Sequence, residues 1–169
     1  MQKKFIIAVI LAPVLFVVML YILNEHSPRS HSEAAAVGSL RTINVSESLY
    51  AEQFPTLGFA CALNKLGPNV EHKSTSDAAD LIDPTLSDGT KSDYHFVIQN
   101  CIGTPVKKYQ VIAVPLRWSK WDWVKHWWND PGLRPSERFF CTDEKGVIVS
   151  AHNNIPETAE ACLKNGIVL

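Results

Sequence analysis

The sequence predicts an α+β domain carried behind one N-terminal apolar helix, and three observations lead to this fold class. Residues 5–23 form a continuous apolar run without a charge. Residues 33–53 are rich in helix formers and carry apolar side chains at helical spacing. After Asp88 and Gly89, two pairs of segments rich in β-branched and aromatic residues each predict a hairpin. We therefore expect the helix to pack on an antiparallel sheet of about four strands.

The apolar run is long enough to cross a bilayer core of about 30 Å as a helix. Lys3 and Lys4 precede it, and cationic flanks stay in the cytoplasm. A cleaved secretory signal and a buried core helix are the alternatives. A retained anchor is favoured because no small-residue cleavage site follows the run at the expected distance. The predicted organisation is a cytoplasmic N-terminus at 1–4, a transmembrane anchor at 5–23, a polar collar at 24–32 and one extracytoplasmic domain at 33–169.

An amphipathic helix is predicted to continue from the anchor over residues 33–53. Its apolar positions fall at spacings of three, four and seven, and they are Ala36, Leu40, Ile43, Tyr50 and Phe54. Pro55 ends the pattern. Residues 61–66 predict a helical turn or two closed by Gly67, and Asp83 followed by Pro84 predicts a capped helix start.

The predicted sheet is built from two hairpins. Their strands cover residues 94–99 and 109–116 in the first hairpin, and 138–142 and 147–150 in the second. The connection at 143–146 has a glycine at its end, which is typical of a short hairpin loop. A last short helix is predicted over 157–164, started by Pro156 and stopped by Gly166.

Four cysteines, all beyond the predicted anchor, indicate two disulfides in an oxidising compartment: Cys61, Cys101, Cys141 and Cys162. Zinc is the weaker interpretation, because none of them forms the closely spaced pair that metal sites favour. Three pairings are possible. We prefer Cys141 with Cys162, which closes the C-terminal tail onto the last strands, and Cys61 with Cys101. No metal and no cofactor are expected.

All five tryptophans lie within eleven residues, in an insertion at 117–134 between the two hairpins. They are Trp118, Trp121, Trp123, Trp127 and Trp128. Their spacing places them on more than one side of a helix, so a short helix could not bury all of them. The rings could cover the core, form a docking surface for a partner protein, contact a membrane interface or bind sugar.

Charge and motifs exclude several function classes. The formal net charge is −1 and no basic cluster stands out, so nucleic acid is not an expected partner. The sequence has no H-E-x-x-H, no G-x-S-x-G and no glycine-rich phosphate loop. No spacing supports a catalytic triad that includes one of the histidines at 72, 95, 126 and 152. We expect no enzyme, and we interpret the sequon Asn44-Val45-Ser46 as a chance occurrence.

Several segments in order carry a resemblance to one family: 38–44 (GSLRTIN), 54–55 (FP), 58–61 (GFAC), 81–83 (LID), 87–94 (SDGTKSDY) and 139–148 (FFCTDEKGVI). With the layout of nearly the whole chain, they resemble bacterial type IV pilin-like proteins and pseudopilins. In that family the N-terminal helix spans the membrane, continues as an amphipathic half and packs under an antiparallel sheet.

The chain departs from this family pattern near its N-terminus. Lys4 stands where the prepilin peptidase recognises a glycine, and Val9 stands where the family has a buried Glu that aids subunit docking. The resemblance therefore implies a pilin-like domain on a fixed anchor. It implies a single-pass protein of the bacterial inner membrane, with a cytoplasmic N-terminus and a periplasmic or extracellular domain.

The expected function is non-catalytic protein–protein contact or assembly in the envelope, related to a pilus or to type II secretion. Its partners would be the membrane, through residues 5–23, and other pilin-like subunits or envelope proteins. The alternative is a membrane-tethered binding module for a small ligand or glycan that uses the Trp-rich segment. A membrane-bound hydrolase is a third, more remote hypothesis.

Overall fold

The computed structural model describes residues 28–71, 73–116, 138–152 and 158–169. Among these residues, no helix is both long enough and apolar enough to cross a membrane. The predicted anchor at 5–23 lies outside them, as does the Trp-rich insertion at 117–134.

The described chain is an α+β domain with one antiparallel sheet, as the sequence predicts. Its elements are α1 (Pro28–Gln53), α2 (Leu63–Leu66), α3 (Pro84–Ser87), β1 (Thr90–Lys91), β2 (Tyr94–Ile102), β3 (Lys108–Pro115), β4 (Arg138–Asp143), β5 (Val149–His152), α4 (Ala159–Asn165) and β6 (Ile167–Val168). The strand order in the sheet follows the chain order from β1 to β6, and every neighbouring pair is antiparallel.

Two features differ from the sequence prediction. The sheet has six strands rather than about four, because β1 and β6 add a two-residue strand at each edge. Strands of two residues are too short to show an alternating pattern. Helix α1 also includes residues 28–32, which the sequence analysis assigned to the collar. Pro28 is the first helical residue, a position where proline is tolerated, so it does not prevent the helix from starting there.

One face of the sheet packs on α1. The predicted stripe is confirmed, since Ala36, Leu40, Ile43 and Tyr50 are buried and Phe54 packs against them. The sheet contributes alternate positions of its strands to this core, namely Tyr94 and Phe96 of β2, Tyr109, Val111 and Ala113 of β3, and Phe140 of β4. The long helix is therefore held by its apolar face.

The opposite face of the sheet has a second, smaller core. Its members from the strands are Ile112, Phe139, Cys141, Val149 and Ala151, and Ala159 and Cys162 of α4 cover them. Neighbouring residues of β4 thus enter different cores, as the two-residue period of a strand requires. Because both faces are covered, the middle strands are buried almost throughout.

Polar contacts fix the ends of the elements. Asp83 caps α3 by accepting a hydrogen bond from the Leu86 amide at 3.1 Å, and Pro84 is the first helical residue, as the sequence predicts. Hydrogen bonds from Lys91 and Thr85 hold the pKa of Asp83 at about 2. These contacts connect α3 with the edge strand β1.

An ion pair joins the first third of α1 to the start of β4. The Arg138 guanidinium donates through Nε to a carboxylate oxygen of Glu33 at 3.1 Å, and a second bond from its Nη2 reaches the same oxygen. Glu33 is buried, and Arg138 also lies 5.8 Å from the ring centre of Phe140. The pair fixes the position of the helix along the sheet.

Candidate functional site

An open groove of about 550 Å³ separates α1 from the turn between β4 and β5. The helix contributes six residues that recur every three or four positions: Arg41, Asn44, Val45, Ser48, Leu49 and Glu52. The opposite wall consists of Tyr109, Glu144, Lys145 and Gly146. The groove follows the helix for about three turns, or roughly 16 Å, at helical rise.

Side-chain hydrogen bonds connect α1 to the sheet beside the groove. The Tyr109 hydroxyl donates to Oδ1 of Asn44 at 3.0 Å, and Nδ2 of Asn44 donates to Oγ1 of Thr142 at 2.9 Å. Asn44 thereby ties α1 to both β3 and β4. Since its amide serves this internal network on a helix, the sequon at Asn44 presents no free acceptor amide.

The groove combines exposed apolar surface with charges of both signs. Val45 is 60% exposed and Leu49 is 41% exposed, although both lie on a helix of a folded domain. The rim carries two cations and two anions: Arg41, Lys145, Glu52 and Glu144. Within the described part of the chain, none of these four charges forms an ion pair. Such a surface suits an amphipathic partner that carries its own charges.

One buried acid was missed by the sequence analysis. Glu47 lies on the core side of α1 and is 0% exposed. Its Oε2 accepts a hydrogen bond from the Ala60 amide at 2.6 Å, whereas Oε1 has no hydrogen-bond partner among the residues that the structure describes. Burial raises the pKa of Glu47 to about 7, against the lowering effect of the Ala60 and Cys61 amides. Its spacing from Ile43 and Tyr50 could have revealed it.

The structure joins the cysteines in the pairing that the sequence analysis preferred. Cys61 is bonded to Cys101 and Cys141 to Cys162, with Cα–Cα distances of 6.0 and 6.1 Å. The second bond connects α4 to β4 inside the smaller core. The described chain therefore matches the prediction of an oxidised, disulfide-bonded domain.

No family model, no curated protein and no solved structure matches this chain. The resemblance to pilin-like proteins therefore stays a prediction.

The remaining predicted residues fall into two groups. The five tryptophans at 118, 121, 123, 127 and 128, with His72 and His126, lie outside the described residues. His95 and His152 are exposed strand residues. In the described ranges, no three His, Cys, Asp or Glu side chains are grouped so that they could hold a metal ion.

Proposed function

We propose that this chain is a non-catalytic, membrane-anchored, pilin-like envelope protein that acts in protein–protein contact or assembly. The observation that carries the proposal is the two-faced helix α1. One face is buried over an antiparallel sheet, while the opposite face carries exposed Val45 and Leu49 beside rim charges that form no ion pair with any described residue. Exposed apolar residues with a polar rim are typical of interaction surfaces.

The anchor is tested by fractionating cells that express the full-length chain. We expect the chain in carbonate-washed membranes, with the intact mass of the unprocessed sequence. Reduction should raise this mass by about four protons, two for each disulfide. A shortened chain in the soluble fraction would contradict the anchor.

Orientation is tested with the double variant Lys3→Glu/Lys4→Glu. We expect protease added outside the inner membrane to digest less of the C-terminal domain, because the cationic flank no longer favours the cytoplasm. Lys73→Glu is the matched control, since Lys73 is an exposed lysine of the domain. If protease digested both variants equally, the positive flank would no longer support a cytoplasmic N-terminus.

Contact through α1 is tested with a photo-crosslinking residue at Val45. We expect discrete adducts with a second copy or with an envelope protein. The control position is Lys164, which is exposed on α4. Equal adduct formation at both positions, or none at Val45, would contradict contact through this face.

A membrane-tethered binding module is the second candidate function. It is supported by the groove, whose volume of about 550 Å³ lies in the range of small-molecule sites. If the Trp-rich segment binds sugar, Trp123→Ser/Trp127→Ser should abolish oligosaccharide binding and leave the melting temperature nearly unchanged. A large loss of stability would make these rings part of the core.

A further inference from the structure

Glu47 occupies a position that the periodicity of α1 reserves for an apolar side chain. It lies on the buried stripe between Ile43 and Tyr50, and it is as inaccessible as they are. Acids are rarely buried to this extent unless they are paired. Its pKa is shifted by burial and by the amides of Ala60 and Cys61, and no cation is among these causes in the described part of the chain. The titratable groups that face it are the phenols of Tyr50 on the same helix and of Tyr109 on β3.

The loop that carries Ala60 is attached to the sheet independently of Glu47. Gly58 forms a bridge with Val106, where the Phe59 amide donates to the Val106 carbonyl at 3.1 Å. The Val106 amide in turn donates to the Leu57 carbonyl at 2.8 Å. The disulfide from Cys61 to Cys101 ties the end of the loop to β2. The loop therefore stays attached to the β2–β3 hairpin when its contact with α1 changes.

The Glu47 carboxyl makes the side-chain hydrogen bond between this loop and the middle of α1, while Leu57 and Gly58 donate to the Phe54 carbonyl just beyond the helix. The Ala60 amide is its donor at 2.6 Å, and the neighbouring Cys61 has a left-handed backbone with φ of 60°. A left-handed conformation is unfavourable for a residue with a side chain. Two contacts restrain the chain at this point, the hydrogen bond from the Ala60 amide to the Glu47 carboxyl and the disulfide of Cys61.

We propose that Glu47 is a proton-dependent latch, which closes the loop on α1 at Ala60 and Cys61 while its carboxyl is protonated and loosens these two residues when the proton is lost. A charge without a counterion inside the core is strongly unfavourable, and water must reach Oε1 to relieve it. The helix and β3 are held by their own backbone hydrogen bonds. Residues 57–59 are bonded to Val106 and to the Phe54 carbonyl, so Ala60 and Cys61 are the part of the loop that can move away from α1. This inference goes beyond the proposed function and needs only the fold.

The burial-raised pKa of Glu47, about 7, sets the range in which the latch would act. When the loop is open and water reaches the carboxyl, the pKa of Glu47 returns toward its ordinary value of 4.5. By proton linkage, these two values make the opening equilibrium about tenfold more favourable at pH 8 than at pH 6.

Hydrogen exchange of the full-length chain tests the latch at the peptide that covers residues 57–61. The exchange rate of the wild type is divided by that of Glu47→Gln at the same pH, so that the intrinsic pH dependence of exchange cancels. We expect this ratio to rise about tenfold between pH 6 and 8. Glu52→Gln is the matched control, because it removes an exposed acid from the same helix. The exchange rate of the wild type divided by that of Glu52→Gln should be the same at pH 6 and at pH 8.

A ratio that is independent of pH would overturn the proposal, as would an equal effect of Glu52→Gln. A second measurement decides the matter even if Glu47→Gln does not fold. Carboxyl ¹³C resonances of the wild type are titrated, and we expect the Glu47 signal to titrate near pH 7, together with the Ala60 amide. Titration of Glu47 at its ordinary value would overturn the latch.

Discussion

Removing the buried disulfide should destabilise the domain more than removing the exposed one, although chain entropy alone predicts the reverse order. Cys141 and Cys162 are 21 residues apart, and loop closure alone makes their bond worth about 3.3 kcal/mol. Cys61 and Cys101 are 40 residues apart, and the same relation gives about 3.9 kcal/mol. Entropy therefore favours the Cys61–Cys101 bond by about 0.6 kcal/mol.

Packing reverses this order. Both sulfurs of the Cys141–Cys162 bond lie in the smaller core and are 0% exposed, whereas Cys101 is exposed and Cys61 is half-buried. Each buried sulfur that is deleted leaves a small cavity and costs about 1 kcal/mol, close to the value for a buried methylene. We expect a total of about 5 kcal/mol for Cys141→Ala/Cys162→Ala and about 4 kcal/mol for the other pair.

The assay is urea unfolding of the full-length variants in mild detergent, followed by circular dichroism at one pH. The two double variants are matched, because each removes one disulfide and no charge. The packing argument would be refuted if the Cys61→Ala/Cys101→Ala variant were the less stable one, since loop entropy would then dominate. An equal loss would mean that the smaller core relaxes around the missing sulfurs.

Three further predictions concern single contacts, and urea unfolding checks each of them. Because burial raises the pKa of Glu47 from 4.5 to about 7, the folded state binds this proton more tightly, and the contribution of Glu47 to stability is greatest below pH 4.5. Stability should fall by about 2.5 kcal/mol from pH 5 to 8, and Glu47→Gln should lose this slope. Arg138→Gln should lower the free energy of unfolding by about 1–3 kcal/mol, because the buried Glu33 carboxylate is then poorly compensated. Adding Glu33→Gln should recover part of this loss, and no recovery would contradict the coupling between the two residues. Tyr109→Phe should cost about 1 kcal/mol through the lost bond to Asn44, and a neutral result would mean that water replaces the hydroxyl.

The long helix and the central strands could be predicted because their signals are local. The stripe of α1 depends on spacing within one segment, and β2 to β5 combine β-branched and aromatic residues over enough positions to show a pattern. The cap at Asp83 and Pro84 is local in the same way. Such elements form where propensity and burial agree.

The groove could not be predicted, because it exists only through contacts between distant segments. The turn at 143–146 approaches α1 after about a hundred intervening residues, through the bonds that Asn44 makes to Thr142 and Tyr109. A sequence pattern shows which side of α1 is apolar. It does not show that Val45 and Leu49, on the other side, face a turn across an open groove.

Glu47 differs from the groove, because its position on the buried side of α1 is visible in the sequence spacing. Charged residues are almost never fully buried, so the apolar positions alone place Ile43 next to Tyr50 in the stripe and leave Glu47 out. In the fold, the same helical angle that buries those two residues also buries the carboxyl. A buried acid lowers stability at neutral pH unless the surrounding structure compensates for it. The Ala60 and Cys61 amides provide only partial compensation, because Oε1 has no hydrogen-bond partner among the described residues. An acid at such a position therefore points to a role for its proton. A charged residue at a helical position that the apolar pattern buries is a sequence signal for functional buried acids.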